Sequence, residues 1–186
     1  MTIDPKLLAE WAGPDGTRMV FQPDSSVYFG AVGVPYSLED SANILNINNR
    51  TYYTRLSGSS PTSIVGHWRD NPNGEEIIFR NDSRYISILD GDPLVYFGNY
   101  IAETASLTSY EYRGQCTTDG NQITFVYIFG NSQIGQYTVT EDTLVLQLGN
   151  TSISYNKVAN PALKRDAAQA PRPLSPRYAS PPSQHP

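Results

Sequence analysis

Apolar and polar residues alternate in short runs along most of this chain, the pattern of strands that lay one face on a core. Strands are predicted over 17–22, 27–32, 43–47 and 50–56, then over 64–69, 75–80, 84–89 and 94–103. Further strands follow at 109–114, 122–129, 133–140, 143–148 and 151–158. Turn residues separate them, among them Pro23-Asp24-Ser25, Asn48-Asn49, Asn71-Pro72-Asn73-Gly74, Asn81-Asp82, Asp90-Gly91-Asp92-Pro93, Asp119-Gly120 and Gly149-Asn150. Asn, Asp and Gly tolerate the positive φ that tight hairpins need. Gly30, inside a strand, marks a bend or bulge. Many short strands without a long helical period predict an all-β fold, an antiparallel up-and-down β-barrel.

The two ends break this pattern. Pro5 suits a first helical turn, and Leu7, Leu8 and Trp11 are placed to face a core, so a short N-terminal helix plugging one barrel end is predicted. Residues 159–186 hold seven prolines and no alternation. That composition predicts a disordered C-terminal tail, leaving 1–158 for the barrel.

Composition fits strands: apolar residues make up 39%, charged residues 17%, and there are 13 tyrosines. Aromatic and β-branched side chains pack well on a pleated surface. Cys116 is the only cysteine, so no internal disulfide forms. The opening residues lack the basic and then apolar regions of a secretory signal, and no apolar run reaches the roughly 20 residues that cross a bilayer. These features point to a cytoplasmic protein without a membrane partner. Asn-x-Ser/Thr triplets at Asn49, Asn81 and Asn150 carry meaning only on an exported chain. Net charge is −5; the tail carries +3, which leaves −8 on residues 1–158. An acidic folded part argues against nucleic acid as a partner, because phosphate contacts need a basic face.

The chain also resembles itself. Trp11, Gly16, Met19-Val20-Phe21, Asp24-Ser25 and Tyr28 recur in order as Trp68, Gly74, Ile77-Ile78-Phe79, Asp82-Ser83 and Tyr85. The closing segments match at a constant offset of 101 residues, with Tyr36 on Tyr137, Leu45 on Leu146, Asn49 on Asn150 and Thr51 on Ser152. One further slip places Arg55 on Lys157. Two related, unequal halves are predicted, 7–56 and 64–158, each opening on a Trp-led strand and closing on a hairpin that ends in a basic residue.

Gly66-His67-Trp68, opening a strand, resembles the Gly-x-Trp of lipocalins and other calycin barrels; Ala9-Glu10-Trp11 is a copy with Ala for Gly. Tyr53-Thr54-Arg55 looks like the final-strand basic residue that packs over that Trp in the family. The resemblance implies a lipocalin-like barrel whose end is closed by the Trp, with a cation capping its ring. It also implies an interior cavity for a small apolar ligand, and no particular reaction. Gly114-Gln115-Cys116 echoes a step of avidin-like chains, but no Trp follows Trp68, so their several-Trp biotin pocket is missing.

Conventional catalytic sets are not legible. His67 precedes Trp68 and so takes the opposite, outer face of its strand, and His185 lies in the tail. One Cys and one such His do not make a metal site, and Asp90-Gly91-Asp92 lacks the spacing of a calcium loop. Phosphate-binding Gly-rich loops are absent, and no cofactor is expected. Cys116 reads as packed or idle. The tyrosines are the better candidates. Alternation puts Tyr96 and Tyr100 on one face of their strand, and Tyr110 and Tyr112 on one face of the next. Phe125 and Tyr127 share a face after that. Tyr96, Tyr100, Tyr112, Phe125 and Tyr127 are the predicted ligand-lining residues. Glu111 and Arg113 lie opposite Tyr110 and Tyr112; inward they would form a buried acid–base pair, and outward, the preferred reading, an ordinary surface pair. Tyr110 and Glu111 are the only catalytic candidates.

Three functions follow from these residues. The first is an enzyme acting by substrate preorganisation, which by resemblance to some lipocalin-like barrels would be a cofactor-free cyclase or isomerase of natural-product biosynthesis. The second is a non-catalytic carrier of a small apolar or aromatic molecule. The third is an inhibitor or immunity-type protein that binds a protein partner through its acidic outer surface. The sequence leaves oligomer formation open.

Overall fold

The computed structural model describes residues 3–58, 62–90 and 95–161. The predicted tail therefore lies, from residue 162 on, outside the described residues, as do Gly91, Asp92 and Pro93 of one predicted turn. The chain is all-β and antiparallel. Its strands are β1 (Glu10–Ala12), β2 (Thr17–Phe21), β3 (Ser26–Glu39), β4 (Ile44–Ile47), β5 (Thr51–Ser57), β6 (Gly66–Asp70) and β7 (Glu76–Phe79). They continue as β8 (Arg84–Ile88), β9 (Val95–Ala102), β10 (Ser106–Asp119), β11 (Gln122–Tyr127), β12 (Ser132–Val139), β13 (Thr143–Leu148) and β14 (Thr151–Lys157).

The predicted N-terminal helix is not there. Its place is taken by a single 3-10 turn, Pro5–Leu7, capped by the Asp4 side chain on the Lys6 amide. The reason is length: β1 begins at Glu10, and so short a stretch cannot repay the cost of nucleating an α-helix. Ile3 and Leu7 still fill the barrel end.

Each strand pairs with its neighbour in sequence, and β14 returns to β1, so all 14 strands close a ring. One further pairing, β10 with β3, pinches that ring in two. Strands β1, β2, β3, β10, β11, β12, β13 and β14 form one closed circuit, and β3 through β10 form the second. The two 14-residue strands β3 and β10 belong to both circuits. The core divides the same way. Trp11, Met19, Phe21, Ile123, Phe125, Leu144 and Leu146 fill the first circuit, and Leu45, Trp68, Phe79, Tyr85, Tyr100 and Leu107 the second.

Two bulges let one ribbon serve both circuits. On β3 an extra residue sits at Val32–Gly33, where Leu107 faces Val34 but Ser109 faces Ala31. On β10 the extra residue is Arg113, between the pairs Tyr112–Tyr28 and Gly114–Val27. Gly33 (φ 71°) and Gly114 (φ 138°) supply backbone conformations that other residues rarely adopt. Each bulge resets the period-two alternation. Thus Val27 and Phe29 face the first core, Val34, Tyr36 and Leu38 the second, all from one face of the ribbon.

Each circuit joins a Trp-led strand to a strand with a basic residue opposite the Trp: Trp11 faces Lys157, and Trp68 faces Arg55. Both indole N–H groups donate to the carbonyl four residues earlier, Trp11 to Leu7 at 2.9 Å and Trp68 to Ile64 at 2.8 Å. Both rings are fully buried. Each removes ~200 Å² from water, worth about 5 kcal/mol at ~25 cal/mol/Å². A third, smaller cluster of Val20, Tyr28 and Tyr110 packs on the face of β2, β3 and β10 opposite the first core.

Candidate functional site

The first circuit is filled by its own side chains. Phe125 lies 6.3 Å from Phe21 and stacks on Tyr127 at 6.2 Å. The gap bounded by Val27, Phe29, Phe125 and Tyr127 is too narrow to admit a water molecule. Cys116 is buried there, and burial pushes its thiol up to about 12.

The second circuit carries polar groups on its inner face. Tyr85, Gly98 and Glu111 face one another across β8, β9 and β10. Gly98 has no side chain, and a Cβ there would lie 2.8 Å from Tyr85 Cε1. The Tyr85 ring therefore crosses Gly98 toward Glu111. Residues opposite each other in an antiparallel pair share a face, so Glu111 shares the face of Tyr85 in the second core and that of Phe29, its partner on β3, in the first. The preferred outward reading of Glu111 is corrected accordingly. Alternation alone allows either face; the unbroken register with Gly98, and the buried Leu107 four residues earlier on the same strand, make this one inward.

Arg113, the bulged residue, lies 5.9 Å over the Phe29 ring of the first circuit and brings its Nε to 3.0 Å from Glu111 Oε1, so the pair stands where the two circuits meet. This is a charge contact without hydrogen-bond alignment: neither of those two buried atoms makes a hydrogen bond. Burial raises the Glu111 carboxyl above its ordinary value; Arg113 opposes the shift and the charge of Glu75 adds to it. Glu75, where the β6–β7 turn enters β7, accepts from Tyr53 Oη at 2.6 Å and Ser87 Oγ at 2.9 Å. Burial also raises the Tyr85 hydroxyl, reinforced by Glu111. The cluster thus offers an elevated carboxylic acid, a guanidinium and phenol hydroxyls within an apolar surround. Such groups can anchor a polar head or move a proton.

The predicted site residues fall in three places. Glu111, Tyr96 and Tyr100 share the second circuit. Tyr96 faces Ser87 across the β8–β9 pair, with its ring 5.7 Å edge-on to Phe129 of the β11–β12 turn. Tyr100, at the other end of β9, donates its hydroxyl to Arg80 O at 2.7 Å. Phe125 and Tyr127 belong to the first core. Tyr110 and Tyr112 take the face of β10 opposite Glu111, where Tyr112 stacks on Phe97 at 5.0 Å and Tyr110 donates to Glu10 Oε1 at 2.8 Å. Sequence reasoning passed over Glu75, Tyr85 and Ser87. The shared alternation of Tyr85 and Ser87 in β8 was the available signal.

His67 sits on the outer face, with Nε2 2.7 Å from Glu76 Oε2. Among the described residues no group of three or more His, Cys, Asp or Glu side chains is placed to hold a metal ion. No helix among them is long and apolar enough to cross a membrane. Set against protein-family models, curated proteins and solved structures, the chain matches none of them.

Proposed function

We propose that this protein binds a small, largely apolar or aromatic molecule at the end of its second circuit that meets the first, with a polar head directed at Glu111 and Arg113. The observation that carries the reading is the pair of buried atoms, Glu111 Oε1 and Arg113 Nε, that touch without hydrogen bonding. Buried polar atoms normally find hydrogen-bond partners, and a ligand oxygen would supply one here. The likeness to lipocalin-type barrels supports it, since Arg55 lies 4.1 Å over the Trp68 ring as the final-strand cation does in that family.

The test is fluorescence of Trp68 in a Trp11→Phe background, titrated with aromatic carboxylic acids, aldehydes and polyenes. Saturable quenching that Arg113→Met weakens is the expected result. A panel that neither quenches Trp68 nor raises the melting temperature sinks the reading.

A second reading, a cofactor-free cyclase or isomerase, is favoured by the raised acid of Glu111. A general acid works best when its pKa is near the working pH. In that reading Glu111→Gln keeps ligand binding and abolishes product. Unchanged polyene, recovered after incubation with a protein that binds it, excludes catalysis.

A further inference from the structure

We propose that the open cleft at the Tyr100 end of the second circuit is a separate binding site for a neutral, hydroxylated ring molecule of monosaccharide size. The cleft has a volume of about 350 Å³, and Tyr36, Ser63, Ile64, Ser83, Tyr100 and Ile101 are among its walls. It lies at the end of β9 away from Tyr96 and Ser87.

Its walls are fixed before any ligand arrives. Phe79 packs edge-on behind the Tyr100 ring at 4.9 Å. The wall at 63–65 is pinned through its carbonyls: Trp68 Nε1 donates to Ile64 O at 2.8 Å, Arg55 Nη2 to Ser63 O at 3.0 Å and Arg55 Nη1 to Val65 O at 3.2 Å. The Trp–Arg pair that closes the barrel therefore also shapes the cleft. Rigid walls lower the entropic cost of binding.

The hydroxyls define the ligand. Tyr36 donates to Glu103 O at 2.8 Å and Tyr100 to Arg80 O at 2.7 Å, so each phenol proton is used and each oxygen retains acceptor capacity. Ser63 Oγ accepts from the Val65 amide at 3.1 Å, which leaves its own proton to donate. Among the described residues no Asp, Glu, Lys or Arg lines the cleft. Asp82, whose charge reaches Tyr100, is bracketed by Arg80 at 3.6 Å and Arg84 at 3.9 Å. A ligand with several O–H groups, a flat apolar face for a tyrosine ring and no net charge satisfies all of these.

The first circuit supplies the contrast. There Tyr137, at the position 101 residues after Tyr36, donates to Asp4 Oδ2 at 2.9 Å. The chain's own Ile3 and Leu7 fill that end. Among the described residues, Ile64 takes the place of Leu7 in the second circuit and the rest of the matching end is a cleft.

The experiment titrates the full chain, carrying ¹³C-labelled tyrosine, with methyl glucoside, methyl galactoside, methyl mannoside and N-acetylglucosamine, each to millimolar concentration. Saturable shifts at Tyr36 and Tyr100 are expected, with affinity falling ~5-fold in Ser63→Ala and in Tyr36→Phe, about one hydrogen bond each. No saturable shift at either tyrosine with any of the four overturns the proposal, as does equal affinity for glucuronate or glucosamine. Shifts confined to Tyr85 and Tyr96 also overturn it, and they would instead favour the Glu111 end, whose proposed role is independent of this cleft.

Discussion

The Tyr110 hydroxyl donates to Glu10 Oε1 at 2.8 Å, across 100 residues of sequence and from β10 over Gly30 of β3 to β1. Glu10 is 2% exposed, and Arg18 Nε stands 3.3 Å from the same oxygen. A buried carboxylate that loses a donor keeps its desolvation cost. Tyr110→Phe should therefore destabilise the fold by about 1–3 kcal/mol with little change in packed volume. Urea unfolding measures this. A change within error of zero would show that water replaces the phenol and that this contact is wetter than its burial indicates. Tyr110 thus ties the shared strand β10 to β1 of the first circuit, on the face opposite Glu111.

Arg55 is held by more than its charge. Its guanidinium covers Trp68 and donates to three carbonyls, Ala42 O at 2.6 Å, Ser63 O and Val65 O. Lysine keeps the charge but cannot reproduce a planar fork that stacks and bonds at once. Arg55→Lys is expected to lose about 1–3 kcal/mol, close to the loss from Arg55→Met, and to shift the near-ultraviolet signal of Trp68. Full stability in the lysine variant would mean that charge alone matters at this position.

Much of this arrangement was legible in alternation. β7, β8 and β13 alternate buried with half-buried residues, in the rhythm that their sequences predict. The shared strands were legible only in part. β3 was predicted at 27–32 and runs Ser26–Glu39; β10 was predicted at 109–114 and runs Ser106–Asp119. The bulges at Val32–Gly33 and Arg113 shift the period by one residue, so a period-two reading stops at each. Pro35 also reads as a strand breaker. The Trp-led and base-ending segments were visible as well. Their pairing was not, because the opening strand of each sequence half closes on the last strand of the other, β1 on β14 and β6 on β5. Nothing local encodes that choice. For the site, Tyr96 was placed by its alternation with Tyr100, but which face turns inward is set by cross-strand partners, Ser87 for Tyr96 and Gly98 for Glu111.

Cys116 gives a direct check on the first circuit. It is fully buried, and its thiol is pushed up to about 12, so almost none is thiolate at neutral pH. Native protein should not react with a disulfide reagent over minutes, and guanidinium-unfolded protein should release one equivalent. Fast native labelling would show that the first core opens far more readily than its packing allows.

Glu111 sets a pH dependence whose sign follows from its environment. Burial raises its acid in the folded state above the roughly 4.3 of an unfolded glutamate. Between those two values the folded chain binds more protons than the unfolded one. Stability from this group is therefore fully present below about 4.3 and is lost as pH rises through the raised folded value. Glu111→Gln removes the titration while keeping the shape. The stability of the wild type minus that of the glutamine variant should fall with rising pH across this window and level off above it. Urea unfolding of both proteins at several pH values gives that difference directly. A difference that rises with pH would mean that Arg113, 3.0 Å away, outweighs burial and holds Glu111 as a carboxylate. The proton-donor reading of the site would then fail, while its role as a polar anchor would stand.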